Sequence, residues 1–168
     1  MIEIFRQYLE IKKKKDIISS SIPKNFSSLE VEQVDDFQIN KFFYKQIGKK
    51  HRWIDRLLWT DQTWKNYVSN KFVETFVLRN KENFMGFFER IYNPENNDFE
   101  IAYFGILEEY QKKKCGGYLL TFALKNSFNK LPKRVWVHTC SLDHKNAIKN
   151  YLARGMRVFK EEKVKISA

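Results

Sequence analysis

The stretch FEIAYFGILEEYQKKKCGGYLLTFALKNSF, residues 99–128, decides how this chain folds. Residues 99–107 are an almost unbroken apolar run of strand length. From Gly116 to Phe128 the period changes, and Leu119, Leu120, Ala123, Leu124 and Phe128 share one helical face. Pro132 stops that helix, and RVWVHT at 134–139 reads as a buried strand. Strand, helix and strand in this order predict one β-α-β unit over residues 99–139.

Working outward, Phe72–Leu78 and Phe84–Tyr92 are strands, with Asn80 and the run Asn93–Asn97 supplying turns, so that with Phe99–Leu107 they form an antiparallel meander. Upstream, LEVEQV at 29–34 alternates as a strand. Asp35 and Asp36 then cap a helix bearing Ile39, Phe42, Phe43 and Ile47, which Gly48 ends. A loop holding His51 and Trp53 leads to Thr60, an N-cap, and a second helix with Trp64, Tyr67 and Val68. Downstream, Asp143 or His144 opens a helix ended by Gly155, and Val158–Ile166 closes the chain as strand. Ile4–Ile11 fits strand or helix, with strand preferred, and residues 16–28 are a serine-rich loop around Pro23. The expected order is β-β-α-α-β-β-β-α-β-α-β, an α+β protein with a mostly antiparallel twisted sheet and about four helices. One domain over 1–168 is expected, residues 1–28 forming an N-terminal extension with an extra strand and 29–168 the core.

Composition narrows the function classes. No stretch approaches the ~18 apolar residues of a membrane span, and Glu3 and Arg6 interrupt any secretory leader, so a cytoplasmic protein with no membrane partner is expected. Cys115 and Cys140, with His51, His138 and His144 scattered, form neither a disulfide framework nor a metal-ligand pattern, and no metal is expected. Lys and Arg number 31 against 20 Asp and Glu, a net charge of +11 that attracts anions or simply solvates the surface. No helix-turn-helix, RNA-recognition or zinc-finger pattern accompanies it, so nucleic acid is not the expected partner.

The segment EEYQKKKCGG joins strand to helix with a glycine-containing turn at a helix N-terminus, where unpaired N–H groups and the helix dipole favour phosphate. Lys112, Lys113 and Lys114 add charge there, though an ordinary basic β-α turn would look the same. Glu100 is a carboxylate within an apolar strand, suited either to accepting a proton or to pairing with a lysine.

Gln111, Lys112, Lys113, Lys114, Cys115, Gly116 and Gly117 resemble the Gln/Arg-x-x-Gly-x-Gly/Ala loop of the GNAT superfamily of acyl-CoA-dependent acyltransferases, with Lys114 where the first glycine is usual. Ala147, Tyr151 and Gly155 are similar to the family's Asn-x-x-Ala-x-x-x-Tyr-x-x-x-Gly-Phe segment, with His144 for the Asn and Met156 for the Phe. Glu100 lies eleven positions before Gln111, the spacing of the base in the histone-acetyltransferase branch. The resemblance implies a GNAT-like fold and transfer of an acetyl group from acetyl-CoA to a small-molecule or peptide primary amine by direct attack. It implies Glu100 as general base and Tyr151 as general acid, with the N–H of Ile106 or Leu107 polarising the thioester carbonyl. Residues 111–117 would hold the cofactor's diphosphate, with His144 beside the cofactor or capping its own helix. Trp53, Trp59 and Tyr103 would line the acceptor side, although packing between helices explains the two tryptophans as well. His138 reads as a core histidine and Cys140 as a weak nucleophile candidate. A catalytically degenerate CoA-binding or protein-interaction module is the alternative, and a homodimer is left open.

Overall fold

A computed structural model describes residues 1–167. Strands β1 (Ile2–Ile11) and β2 (Leu29–Val34) are followed by helices α1 (Phe37–Gly48) and α2 (Asp61–Val68). Strands β3 (Val73–Asn80), β4 (Asn83–Asn93) and β5 (Asp98–Ile106) lead to α3 (Cys115–Phe128), β6 (Arg134–Cys140), α4 (Ala147–Ala153) and β7 (Arg157–Ile166). This is the order expected. The seven strands form one mixed sheet in the order β2-β3-β4-β5-β6-β1-β7, so β1 runs inside the sheet, antiparallel to both β6 and β7.

Local chemistry explains the element ends. Asp36 caps α1 by accepting from the Gln38 N–H at 2.9 Å, and Thr60 caps α2 through the Thr63 N–H at 3.2 Å. The last helix starts at Ala147, later than expected, because Asp143 is drawn into the preceding turn. Its Oδ2 accepts from the Thr139 hydroxyl at 2.6 Å and the Cys140 N–H at 2.9 Å.

Helices cover both faces. Against α3 and α4 the sheet packs Leu9, Phe88, Phe99, Ile101, Val135 and Val137 onto Leu119, Leu120, Ala123, Leu124 and Tyr151. Met156 is buried in the same core, so a thioether fills the volume an aromatic ring would otherwise take. On the other face Phe43 and Ile47 of α1 pack against Val77 and Phe87, and Tyr44 of α1 packs with Trp64 and Val68 of α2.

Two adjacent charges in β4 face opposite layers, as period-two alternation requires. Arg90 bonds Glu74 at 2.6 Å and the Ser127 hydroxyl at 2.9 Å beneath α3. Glu89, fully buried, accepts two bonds from Arg56 at 2.7 and 2.8 Å, one from Asn40 at 2.9 Å and one from Tyr67 at 2.7 Å. Burial opposes the Arg56 charge, but the bonds and charge of Glu89 outweigh it and hold the guanidinium above its ordinary pKa. Tyr67 and Tyr103 lie over that guanidinium, their centroids 4.3 and 4.4 Å from it. This pair ties the α1–α2 connection to the sheet. Truncating Arg56→Ala leaves the Glu89 charge buried with only neutral donors, and we expect a loss of about 3–5 kcal/mol in urea unfolding. A change below about 1 kcal/mol would show that the pair does not anchor this connection.

Candidate active site

The site begins where β5 and β6 part. They pair in parallel at Asp98↔Arg134, Phe99↔Val135 and Glu100↔Trp136 and nowhere further. At the closed end Arg134 bonds Asp98 at 3.1 Å and Glu10 of β1 at 2.8 Å, which cross-links three strands. Beyond Glu100 the strands diverge around a cavity of about 930 Å³ lined by residues of both. A bulge in β5 adjusts its walls. Glu89 pairs with Tyr103 and Arg90 with Ile101, which leaves Ala102 without a partner. Phe99 and Ile101 therefore face the α3 core, whereas Glu100 and Tyr103 both face the α1–α2 side. Phe104 turns back to pack on Tyr151, centroids 6.3 Å apart.

The end of β5 presents a free donor to the gap. The Leu107 N–H bonds the Met85 carbonyl at 2.8 Å, and Leu107 does not line the cavity, so the expected role in polarising a carbonyl there does not fit it. Antiparallel alternation then directs the Ile106 N–H away from β4, towards the opening. Gly105 is required beside it, since a Cβ would lie 2.8 Å from Ile47 of α1.

Next comes the turn into α3. Lys112 and Lys114 both take left-handed backbone conformations, with φ of 61° and 65°. Lys114 is the N-cap of α3, so a lysine here adopts the conformation that glycine takes at least cost. Gln111 steadies the turn by donating its side-chain amide to the Ile106 carbonyl at 3.2 Å. The first backbone bond into the helix runs from Tyr118 to Lys114 at 3.2 Å, and among the described residues the N–H groups of 112–117 bond no backbone carbonyl. Consecutive free N–H groups at a helix start, in a turn that alternates hand, form an anion-binding concavity. Lys112, Lys113 and Lys114 are exposed around it, though the Lys113 side chain does not reach the cavity wall.

Titratable groups take distinct states. The Glu100 carboxyl is raised above its ordinary pKa by burial first, and by the charges of Glu89 and Asp98 second. Tyr151, buried and on the opposite side of the sheet, is raised by burial and by Asp143, which keeps its hydroxyl protonated at neutral pH. Cys140 lines the cavity, but burial and Asp143 raise its thiol, the wrong direction for a nucleophile. His144 lines it too, and its Nδ1 accepts from the Asn146 N–H at 3.1 Å.

His138, expected in the core, is exposed and lines the cavity, because the face it shares with Trp136 is not covered by a helix. Crowding by protein atoms, then the Arg6 charge, lowers its pKa. Trp53 and Tyr103 line the cavity, centroids 4.8 Å apart; Trp59 does not, being packed on Trp64 and Tyr67 instead. The sequence reading missed the bridge that roofs the gap, where His51 Nδ1 lies 3.1 Å from the Leu142 carbonyl. It also missed Glu89, though charges within the apolar run MGFFERIY were a signal.

The model of the acetyltransferase (GNAT) family matches residues 32–156, most of the chain and all of this cleft except the parts from β1 and β7. The chain belongs to the GNAT acetyltransferase family. No curated protein matches it in sequence. Among solved structures, it is similar to a GCN5-related N-acetyltransferase from Sphaerobacter thermophilus, with a TM-score of 0.70 and 11% identity over 94% of this chain and 49% of that one. The chain thus spans about half the length of that protein. It is also similar to the aminoglycoside acetyltransferase meta-AAC0020 from an uncultured soil metagenomic sample, with a TM-score of 0.65 and 14% identity over 78% and 88% of the two chains. A third is the IAA acetyltransferase of Bacillus cereus, with a TM-score of 0.57 and 18% identity over 79% of each chain. These likenesses carry the GNAT fold.

The left-handed Lys114 yields a test of the turn. Lys114→Gly should raise the melting temperature by about 1–3 °C, as relief of strain exceeds the added entropy of the unfolded chain. Lys114→Val should lower it, because a β-branched residue resists this conformation. The opposite ranking by differential scanning calorimetry would mean that the backbone here is not left-handed.

Proposed function

We propose that this protein transfers an acetyl group from acetyl-CoA to a primary amine by direct attack. The observation that carries the reading is the continuity of two features, the unpaired gap between β5 and β6 and the free N–H groups of residues 112–117 at its mouth. That turn suits a diphosphate, and the strand edges of the gap suit the amides of an extended pantetheine arm. Acetyl-CoA would supply an activated thioester carbonyl. The Ile106 N–H is the donor best directed to polarise that carbonyl, the role of an oxyanion hole.

An amine is protonated at neutral pH and attacks only as the free base, so a proton must leave it. Glu100 stands on the α1–α2 side of the sheet, where an acceptor would enter between His51–Arg56 and the uncovered strands. Its raised pKa makes it a better base than an exposed carboxylate while leaving it ionised above that pKa. Tyr151 lies across the gap, and its protonated hydroxyl would deliver a proton to the departing sulfur. After the ammonium has lost one proton to solvent, the amine nitrogen bonds the acyl carbon as the carbon–sulfur bond breaks; its second proton passes to Glu100, Tyr151 protonates the sulfur, and exchange with solvent restores both side chains. Trp53 and Tyr103 would form the apolar wall for the acceptor.

Acetyl-CoA at 100 times its Kd should stabilise the protein by about 2.7 kcal/mol, read as a rise in melting temperature. No shift with acetyl-CoA or CoA would overturn the assignment, and binding without transfer across a broad amine panel would favour a non-catalytic module. Glu100→Gln should lower kcat at least about 100-fold with the cofactor-induced shift retained. Full activity in that variant would remove Glu100 from the mechanism.

The pH dependence follows from the sign of the shift. Only ionised Glu100 accepts a proton, so wild-type turnover should fall as pH drops through its raised pKa, and Glu100→Gln should lack that limb. Because the folded-state pKa is raised, the contribution of Glu100 to stability is complete below its unfolded value and is lost as pH rises through the folded one. The glutamine variant should therefore melt no lower than wild type at pH 7.5.

A further inference from the structure

Beyond Glu100 the cavity ends in a lobe built from the two ends of the chain. Ile4 and Arg6 come from β1, Lys165, Ile166 and Ser167 from the end of β7, and Arg52 from the α1–α2 connection. The register places Arg6 opposite Cys140 and Tyr8 opposite His138, so Arg6 lies on the same open face as the imidazole, whose titration it perturbs.

Arg6 differs from the interior arginines. Arg56, Arg90 and Arg134 each hold a carboxylate at 3.1 Å or less. Among the described residues the one carboxylate paired with Arg6 is Glu162, 3.8 Å from its Nη1, and Glu162 already accepts the Tyr8 hydroxyl at 2.5 Å and lies 3.5 Å from Lys160. The Arg6 Nε is buried without a hydrogen-bond partner among the described residues. Such a donor costs stability unless something fills the lobe. Arg52, left-handed at φ 56°, spends one donor on the Ser167 carbonyl at 3.3 Å and forms no ion pair among the described residues. Among the described residues opposing charge is sparse here: Asp143 is engaged by Thr139 and Cys140, and Asp55 is exposed at the rim.

We propose that the acceptor is an amine that also carries an oxyanion, carboxylate or phosphate, and that Arg6 binds this group with Arg52 nearby. This rests on the acetyl-transfer reading above. The planar guanidinium fork fits both oxyanions, and the anion fixes the amine near Glu100. An acceptor of several positive charges would meet this lobe with like charge.

Matched probes test it. With acetyl-CoA, kcat/KM is measured for 5-aminopentanoate, 5-aminopentanamide and 1,5-diaminopentane, and for 2-aminoethyl phosphate against 2-aminoethanol. At least one acid-bearing probe should exceed its uncharged analogue about tenfold or more, and the pair that shows it separates carboxylate from phosphate recognition. In Arg6→Gln that ratio should fall to near one, chiefly through KM, and Arg6→Lys should retain part of it. The acetyl-CoA melting shift is recorded on the same samples, which shows that each variant is folded and loaded. Ratios near one in the wild type, a preference for the diamine, a ratio untouched by Arg6→Gln, or no transfer to any acid-bearing probe would each overturn the proposal. If the acetyl-CoA shift is present and an uncharged or cationic amine is acetylated, those outcomes leave the acetyl-transfer reading standing; if the shift is absent, that reading fails as well.

Discussion

Everything in this molecule depends on two parallel strands that stop pairing after Glu100. Past that point each has backbone donors and acceptors facing a gap rather than a neighbour, and an unmade buried hydrogen bond costs about 1–3 kcal/mol. Such an opening persists only if neighbouring structure prevents closure. Arg134, bonded to Asp98 and Glu10, fixes the hinge end. The bulge at Ala102 bends β5, and Tyr151 wedges against Phe104 on the helix side. On the opposite side the bridge between His51 and Leu142 sets the height of the gap. The cleft is thus a frustrated pairing held open by packing, and its unsatisfied groups are what a ligand with its own amides can satisfy.

The buried charges serve the same geometry. Glu89 and Arg90 are adjacent and lie on opposite faces of the sheet, one tied to the α1–α2 connection and the other to β3 and α3. Helix layers on both faces are therefore fixed to one strand, the partner of the strand that parts. Glu89 is also the nearest reason, after burial, why Glu100 is raised. A structural ion pair and a candidate proton acceptor are coupled through a shared face of β4 and β5.

The elements were legible in the sequence because each carried its own period or punctuation, such as the apolar face from Leu119 to Phe128, or the capping residues Asp36 and Thr60. The turn at 111–117 was legible for the same reason, as local chemistry between a strand and a helix. Sheet order was not. Nothing in Ile4–Ile11 announces that it lies between β6 and β7, because that pairing joins residues over 120 positions apart. His138 was misplaced as a consequence, since whether its face is covered depends on where β1 and the helices settle. Which of Ile106 and Leu107 turns its N–H away from β4 was not legible either, because a strand's alternating N–H direction depends on register, which the residues do not display.

The net charge of +11 gains a meaning that composition withholds. In the interior, arginines are matched: Arg56 to Glu89, Arg90 to Glu74, and Arg134 to Asp98 and Glu10. At the mouth of the cleft the matching fails. Lys112, Lys113 and Lys114 crowd the N-terminus of α3, the positive end of its dipole, and form no ion pair among the described residues. Arg154 joins them, with an Nη1 that would lie 2.4 Å from a Cβ at Gly117 and a buried Nε that has no partner among the described residues. Like charges gathered at the end of a helix that already repels cations raise the free energy of the empty fold. On the acetyl-CoA reading proposed above, that energy would be recovered when the diphosphate enters, so the residues that make the turn costly would also favour an anion.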